Sequence, residues 1–163
     1  MIILGIDPGL ERIGYGIISR EGSVLKPIDF GLIESPRVVI PDRLRLIDEQ
    51  FRGLLDRHQP DAVATERQLF AANKTTALDV AKALGVILLA CGQRALPWAE
   101  YTPPQVKLAV VGNGAADKRQ VQFMVTRLLG LDKAPKPDDV SDALAIAICH
   151  AFQSRVYIER TGR

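Results

Sequence analysis

Four carboxylates stand where a folded α/β chain could bring them together. Asp7 closes the apolar run 2–6 and Glu66 closes 62–65. Asp139 and Asp142 share one face at the start of a helix that opens within Pro-Lys-Pro-Asp-Asp-Val-Ser-Asp at 135–142. In parallel sheets, ligands collect beyond the carboxyl ends of strands, so Asp7 and Glu66 converge if their strands are neighbours. Gathered carboxylates repel one another unless cations neutralise them, and hard oxygen donors suit Mg²⁺ or Mn²⁺. The chemistry this pattern points to is metal-dependent phosphoryl transfer.

Each piece also has a plainer reading. Asp7-Pro8-Gly9 is turn chemistry in its own right, but a charge ending a buried strand is costly unless paired or metal-bound. Glu66 alone could be a solvated strand end. Asp138, directly after Pro137, suits an N-cap. Asp138 and Asp139 lie four and three residues before Asp142, so spacing leaves open which of them is its partner. The helix dipole favours keeping any of them ionised. After Glu66, a loop interleaves bases with apolar side chains: Arg67, Leu69, Phe70, Asn73 and Lys74. That mixture suits stacking on an exposed nucleobase, although Phe70 could equally pack in the core. Lys107 and Lys118 lie near helix starts on either side of Gly112-Asn113-Gly114 and, taken singly, would be solvated surface. His58 and His150 are too isolated for nucleophilic or zinc chemistry.

The elements that must position these residues can be read from hydrophobic period. Residues 2–6 form a buried strand, and 14–20 and 28–34 give two more strands joined through Glu21-Gly22-Ser23, an antiparallel meander. A helix begins near Pro41, with Leu44, Ile47, Phe51, Leu54 and Leu55 at helical spacing, and leads into the strand 62–66. A helix over 75–94 has almost no polar face in its second half, which requires burial on more than one side; a second copy of the chain would supply the second side. A strand at 98–101 and helices over 103–111, 118–129 and 139 to about 157 complete the chain. Strands giving way to strand–helix alternation mean a five-stranded mixed sheet with helices on both faces. The expectation is a single domain over 1–158, with 159–163 a loose tail.

Composition narrows the partners. The chain has 163 residues, 47% hydrophobic and 25% charged, with a net charge of +2. This balance permits a polyanionic partner without requiring one. Two isolated cysteines give neither a metal spacing nor a disulfide framework. No basic leader and no bilayer-length apolar stretch are evident, so the expected setting is cytoplasmic, with no membrane contact.

Taken together these motifs resemble the RuvC family of Holliday-junction resolvases, of the ribonuclease H-like fold. The resemblance runs from Gly5-Ile6-Asp7-Pro8-Gly9 to the segment 142–147, through Val106-Lys107, the Val-Val-Gly at 110–112, Lys118, Gln120-Val121 and Met124-Val125. It implies Asp7, Glu66, Asp139 and Asp142 as catalytic ligands of two Mg²⁺ or Mn²⁺ ions, and so selects Asp139 over Asp138. It implies Lys107 and Lys118 as DNA contacts near the scissile phosphate, and a homodimer that nicks four-way junction DNA alongside branch-migration proteins of the RuvAB type. In the family, the loop after the glutamate usually begins Glu-Gln and carries phenylalanine where this chain has Leu69; here Arg67, Leu69 and Phe70 stand instead. The rival readings are a related nuclease acting on ribosomal RNA precursors and a non-catalytic junction-binding module.

Overall fold

The computed structural model describes residues 1–67 and 74–161; the side chains of 74–76 and 154–161 are outside that description. Three strands open the chain, β1 (Ile2–Asp7), β2 (Arg12–Glu21) and β3 (Val24–Glu34), as an antiparallel meander. The β2–β3 turn is tight and places Gly22 at φ +62, a left-handed conformation that costs glycine little. Helix α1 (Ile40–His58) then crosses over to β4 (Ala62–Glu66), which runs parallel to β1 with Gly5 opposite Ala64 and Ile6 opposite Thr65. Helix α2 (Lys74–Gln93) leads to β5 (Trp98–Tyr101), parallel to β4, and the helices α3 (Pro103–Val111), α4 (Lys118–Leu128) and α5 (Asp138–Thr161) follow. The described residues form one five-stranded mixed sheet in the order β3-β2-β1-β4-β5.

Strand alternation sends successive side chains to opposite faces, and each face has its own core. Leu4, Ile6, Ile13, Ile17 and Val63 pack under α1 and α2 with Ile47, Phe51, Ala83 and Ile87. Ile3, Ile18 and Ala64 pack on the other face under α3, α4 and α5 with Val106, Val125, Leu144 and Ile148. Helices therefore cover both faces, as the periodicity required.

Helix α5 lies far closer to the sheet than side chains ordinarily permit, and three glycines make the room. A Cβ on Gly5 would sit 2.1 Å from the Ala143 carbonyl oxygen, one on Gly14 2.0 Å from that of Asp139, and one on Gly16 2.6 Å from the Leu144 side chain. Gly5 and Gly16 are cross-strand partners, and Gly14 is the partner of Asp7. The head of α5 is thus pressed backbone to backbone against the end of β1. The strands β2 and β3 start earlier than the hydrophobic pattern indicates, at Arg12 and Val24, because an exposed arginine opens β2 and Lys26-Pro27 interrupts the head of edge strand β3. Asp138 is the first residue of α5 rather than its N-cap, and its carboxylate accepts from Gln122 Nε2 at 2.9 Å.

Candidate active site

Parallel pairing of β1 and β4 puts the carboxyl ends of both strands side by side, so Asp7 and Glu66 emerge together. The contact of Gly14 with the Asp139 backbone sets the first turn of α5 over the same edge, and one helical turn carries Asp142 to the adjacent position. The four acids drawn from separate parts of the chain therefore share one field. Burial first, and then the charges of Asp142, Glu66 and Asp139, push the Asp7 carboxyl up to about 8. Glu66 and Asp142 are raised as well, in both cases by burial first, with Asp142 adding to the rise at Glu66. Asp139 acts on Asp7 while Asp138 does not figure among its perturbing neighbours, which favours Asp139 as the member of the pair that faces the site.

Cations flank this cluster on two sides. A cleft of about 230 Å³ is lined by Glu66, Lys107, Lys118 and Asp142 against Pro103 and Val106. Lys118 Nζ lies 3.1 Å from Asp142 and 3.2 Å from Asp138. It is set at the first turn of α4, whose N-cap Asp117 accepts from the Gln120 backbone in a capping box. Lys107 stands on α3, next to Glu66, and opposes the rise in that residue's pKa. On the opposite flank Arg12 Nη2 lies 3.5 Å from Asp139, in a second cleft shared with Gly9, Leu10 and Arg43.

Arg12 and Arg43 are site neighbours that the motif reading did not single out. Arg43 is only 7% exposed; its guanidinium donates to Ser35 Oγ and to the Leu10 carbonyl, both at 3.1 Å, and Ser35 Oγ donates to the same carbonyl at 2.6 Å. This pins the loop that leaves Asp7. The signal was present, because position 43 lies in the i, i+4, i+8 register of Ile47 and Phe51 and so belongs to the buried face of α1.

Of the loop residues after Glu66, Arg67 continues the β4–β5 pairing through its backbone, which donates to the Tyr101 carbonyl at 2.8 Å. Its side chain lies 3.6 Å from Glu100. Leu69, Phe70 and Asn73 lie outside the described residues, and so does the side chain of Lys74. His150 is paired with the Tyr101 hydroxyl at 2.8 Å, and His58 lies 3.0 Å from Asp29 on the far side of the sheet. Neither histidine joins the acids.

A divalent cation fits the donor set by its chemistry. The cluster offers hard carboxylate oxygens and, at Asp7, a charge that burial and three like neighbours make costly without a compensating cation. Among the described residues no three acid, histidine or cysteine side chains are already arranged around one ion. Asp142 leans on Lys118 and Asp139 on Arg12, so ligation by all four requires those two pairs to loosen.

A mixed sheet in the order 3-2-1-4-5, with acids at the carboxyl ends of its two central parallel strands and at the head of the helix crossing them, defines a ribonuclease H-like nuclease. Comparison with known proteins gives the branch. The family profile of crossover junction endodeoxyribonuclease RuvC matches residues 3–150. The protein of that name from Alkaliphilus metalliredigens is 53% identical over 159 residues, covering 94% of this chain and 97% of that one. Its counterpart from Clostridioides difficile is 50% identical over 157 residues, covering 96% and 93%. The solved Thermus thermophilus RuvC in complex with Holliday junction substrate is similar at TM-score 0.91 and 36% identity, over 96% of each chain. The yeast mitochondrial Holliday junction resolvase Ydc2 shares the fold at TM-score 0.70 and 17% identity, over 97% of this chain and 82% of that one. The chain belongs to the RuvC family of crossover junction endodeoxyribonucleases. Enzymes of this family depend on a metal ion. Among the described residues no helix is long and apolar enough to cross a membrane.

Proposed function

We propose that this chain resolves four-way DNA junctions by paired, symmetric nicks as a homodimer, with Asp7, Glu66, Asp139 and Asp142 as metal ligands and Lys107 and Lys118 at the scissile phosphate. The observation that carries the reading is the convergence of Asp7, Glu66 and Asp142 with both lysines at one sheet edge. When bound there, Mg²⁺ or Mn²⁺, as two ions per site, supplies the charge that makes a water nucleophilic and stabilises the leaving oxygen. The chain's own contribution is electrostatic and positional. Burial and mutual repulsion hold the acids in a state that favours cation binding. Lys118 and Lys107 place two positive charges where a phosphodiester entering the cleft would meet them, and such charges act most strongly on charge that develops during reaction. The sugar–phosphate strand would take Lys118 away from Asp142 and so release that carboxylate.

The dimer reading rests on α2. Its core face carries the fully buried Ala83, Ile87 and Ala90. Its opposite face presents Leu78 and Leu89, 60% and 58% exposed, with Ala81 and Gly85 between them at helical spacing. Among the described residues a Cβ at Gly85 would meet nothing within 4 Å, so the smooth strip leaves room for another copy. A junction has two-fold symmetry, and an isologous pair presents two sites to opposed strands. Glu66 lies a short way upstream of the same helix, which would tie the separation of the sites to the interface. We read 1–158 as a single nuclease domain working in the cytoplasm beside branch-migration proteins.

The test is cleavage of a synthetic four-way junction, a linear duplex and a structured RNA by the purified protein with Mg²⁺. Paired nicks confined to the junction support the reading. Preferential cleavage of RNA moves the chain to the ribosomal-precursor alternative, and junction binding without any nicking moves it to a binding module.

A further inference from the structure

Helix α4 turns a charged face away from the core. Val121 and Val125 are buried beneath it, whereas Arg119, Phe123 and Arg127 recur every fourth residue along its outer surface and are exposed. Phe123 is 57% exposed, an unusual position for a large aromatic, and the Arg127 guanidinium sits over its ring at 5.3 Å. A groove of about 440 Å³ runs beside this face, lined by Arg119, Gln122, Phe123, Arg127, Asp132 and Lys133. Arg119, Arg127 and Lys133 make no ion pair with an acidic side chain among the described residues, and Asp132 is the groove's single acid. The face is continuous with the acid cluster. Lys118 precedes Arg119, and Gln122 donates to Asp138, which Lys118 also meets.

We infer that the outer face of α4 and the following segment to Lys133 form a tract that carries the duplex arm leaving the scissile position, with Arg119, Arg127 and Lys133 on its phosphates. The inference rests on the junction-cutting function proposed above and extends its substrate contact beyond the cleft. The dimensions agree: the eight helical steps from Arg119 to Arg127 span about 12 Å of helix axis, or about three to four base-pair rises of B-form DNA. Charge complementarity selects the occupant. Three cations without an ion pair among the described residues converge on a groove with a single acid, and the face begins one residue from a lysine that already points at the site. Phe123, held by Arg127, offers a flat apolar surface for the sugar edge between phosphate contacts. Contacts of this kind position the duplex and carry no base sequence.

The experiment compares the unaltered protein with the triple variant Arg119→Ala, Arg127→Ala, Lys133→Ala and with the charge-preserving variant Arg119→Lys, Arg127→Lys, Lys133→Arg. Junction affinity is measured by fluorescence anisotropy across a salt series in Ca²⁺, on junctions with long arms and on junctions whose arms are cut back to a few base pairs. Each phosphate contact contributes about 0.9 to the slope of log K against log salt, so each is worth about 5-fold at 0.15 M salt. The triple alanine variant should lose on the order of 10²-fold in affinity for long-armed junctions and about 2–3 from the slope. The loss should shrink as the arms shorten, and the charge-preserving variant should restore most of it. Equal affinity and slope for the unaltered and triple alanine proteins on long arms overturns the inference and points the face towards a protein partner instead. A loss that is the same on short and long arms, or that charge preservation does not restore, overturns it as well, because the effect would then arise from the fold. If the triple variant nicks junctions normally and shows no loss of affinity, only this inference fails. If the unaltered protein neither binds nor nicks junctions, the proposed function fails with it.

Discussion

The position of Asp7 makes the folded chain sensitive to pH in a direction opposite to that of an ordinary salt-bridged carboxylate. Its pKa rises from 3.8 to about 8, so between those values the folded state holds a proton that the unfolded state has released. Stability then falls as pH rises through that window, and the protection given by the proton is gone above about 8. At 1.36 kcal/mol per unit the full displacement corresponds to on the order of 5 kcal/mol. Half of that already shifts the melting temperature of a domain this size by about 5–10 °C. Asp7→Asn removes the charge and keeps the shape. In chelator at pH 5 the variant should melt close to the unaltered protein, and at pH 8 it should melt about 5–10 °C higher. Added Mg²⁺ should close the gap from the other side: a ligand at a hundred times its Kd stabilises by about 2.7 kcal/mol, but only where the carboxylate is present to bind it. The assay is differential scanning fluorimetry over pH 5–8 with and without the ion. Superimposable melting curves for the two proteins at both ends of that range would refute the account of Asp7 as a buried, repelled carboxylate.

Three further outcomes follow from the same geometry. Asp139→Asn should abolish junction cleavage while Asp138→Asn leaves most of it, measured as single-turnover nicking, because Asp139 and not Asp138 perturbs Asp7; the reverse would mean that the α5 register at the site is displaced by one residue. Gly5→Ala should cost about 3 kcal/mol or more and also suppress nicking, since a Cβ there meets the Ala143 carbonyl oxygen at 2.1 Å and α5 must withdraw; a variant of unchanged melting temperature and activity would show that the glycine row is not what sets the acids. Leu89→Glu should yield monomers by light scattering that make single rather than paired nicks, and a variant that stays dimeric would move the interface off α2.

The architecture was legible because its signals are local and periodic. The apolar runs 2–6 and 62–65 and the amphipathic helix that leads into the second of them point to β1 and β4 as parallel neighbours, since consecutive strand–helix–strand units usually lie side by side. Strand β3 was less legible: it is an edge strand with Lys26 and Pro27 near its start, and apolar residues on its exposed side (Val24, Ile28 and Phe30) blur the alternation that would mark which face is buried. Asp7 and Glu66 could be named from where they end their strands and Asp142 from the head of a helix, and the choice of Asp139 over Asp138 needed the family resemblance. The geometry supports it for a reason no spacing contains, namely the contact between the Asp139 carbonyl and Gly14.

That contact shows what kind of information a pattern reading loses. Gly14 and Gly16 lie in the strand that follows Asp7, where turn chemistry would explain a glycine from its own backbone, yet neither has a positive φ. Their role is to lack a side chain under a helix that arrives more than a hundred residues later. Gly5 does the same from the neighbouring strand. The row Gly5, Gly14 and Gly16 sets the height of α5 above the sheet, and that height decides whether Asp139 and Asp142 stand within reach of Asp7 or several ångströms above it. Arg43 follows the same logic from the other face. It occupies an apolar register position on α1 because the Leu10 carbonyl and Ser35 need a donor there, and the loop so pinned is the one that aims Asp7. The four acids are thus only the visible half of the pattern. The other half is a set of residues whose value lies in what they leave empty or hold still, and those are the positions where substitutions that spare every acid should still abolish nicking.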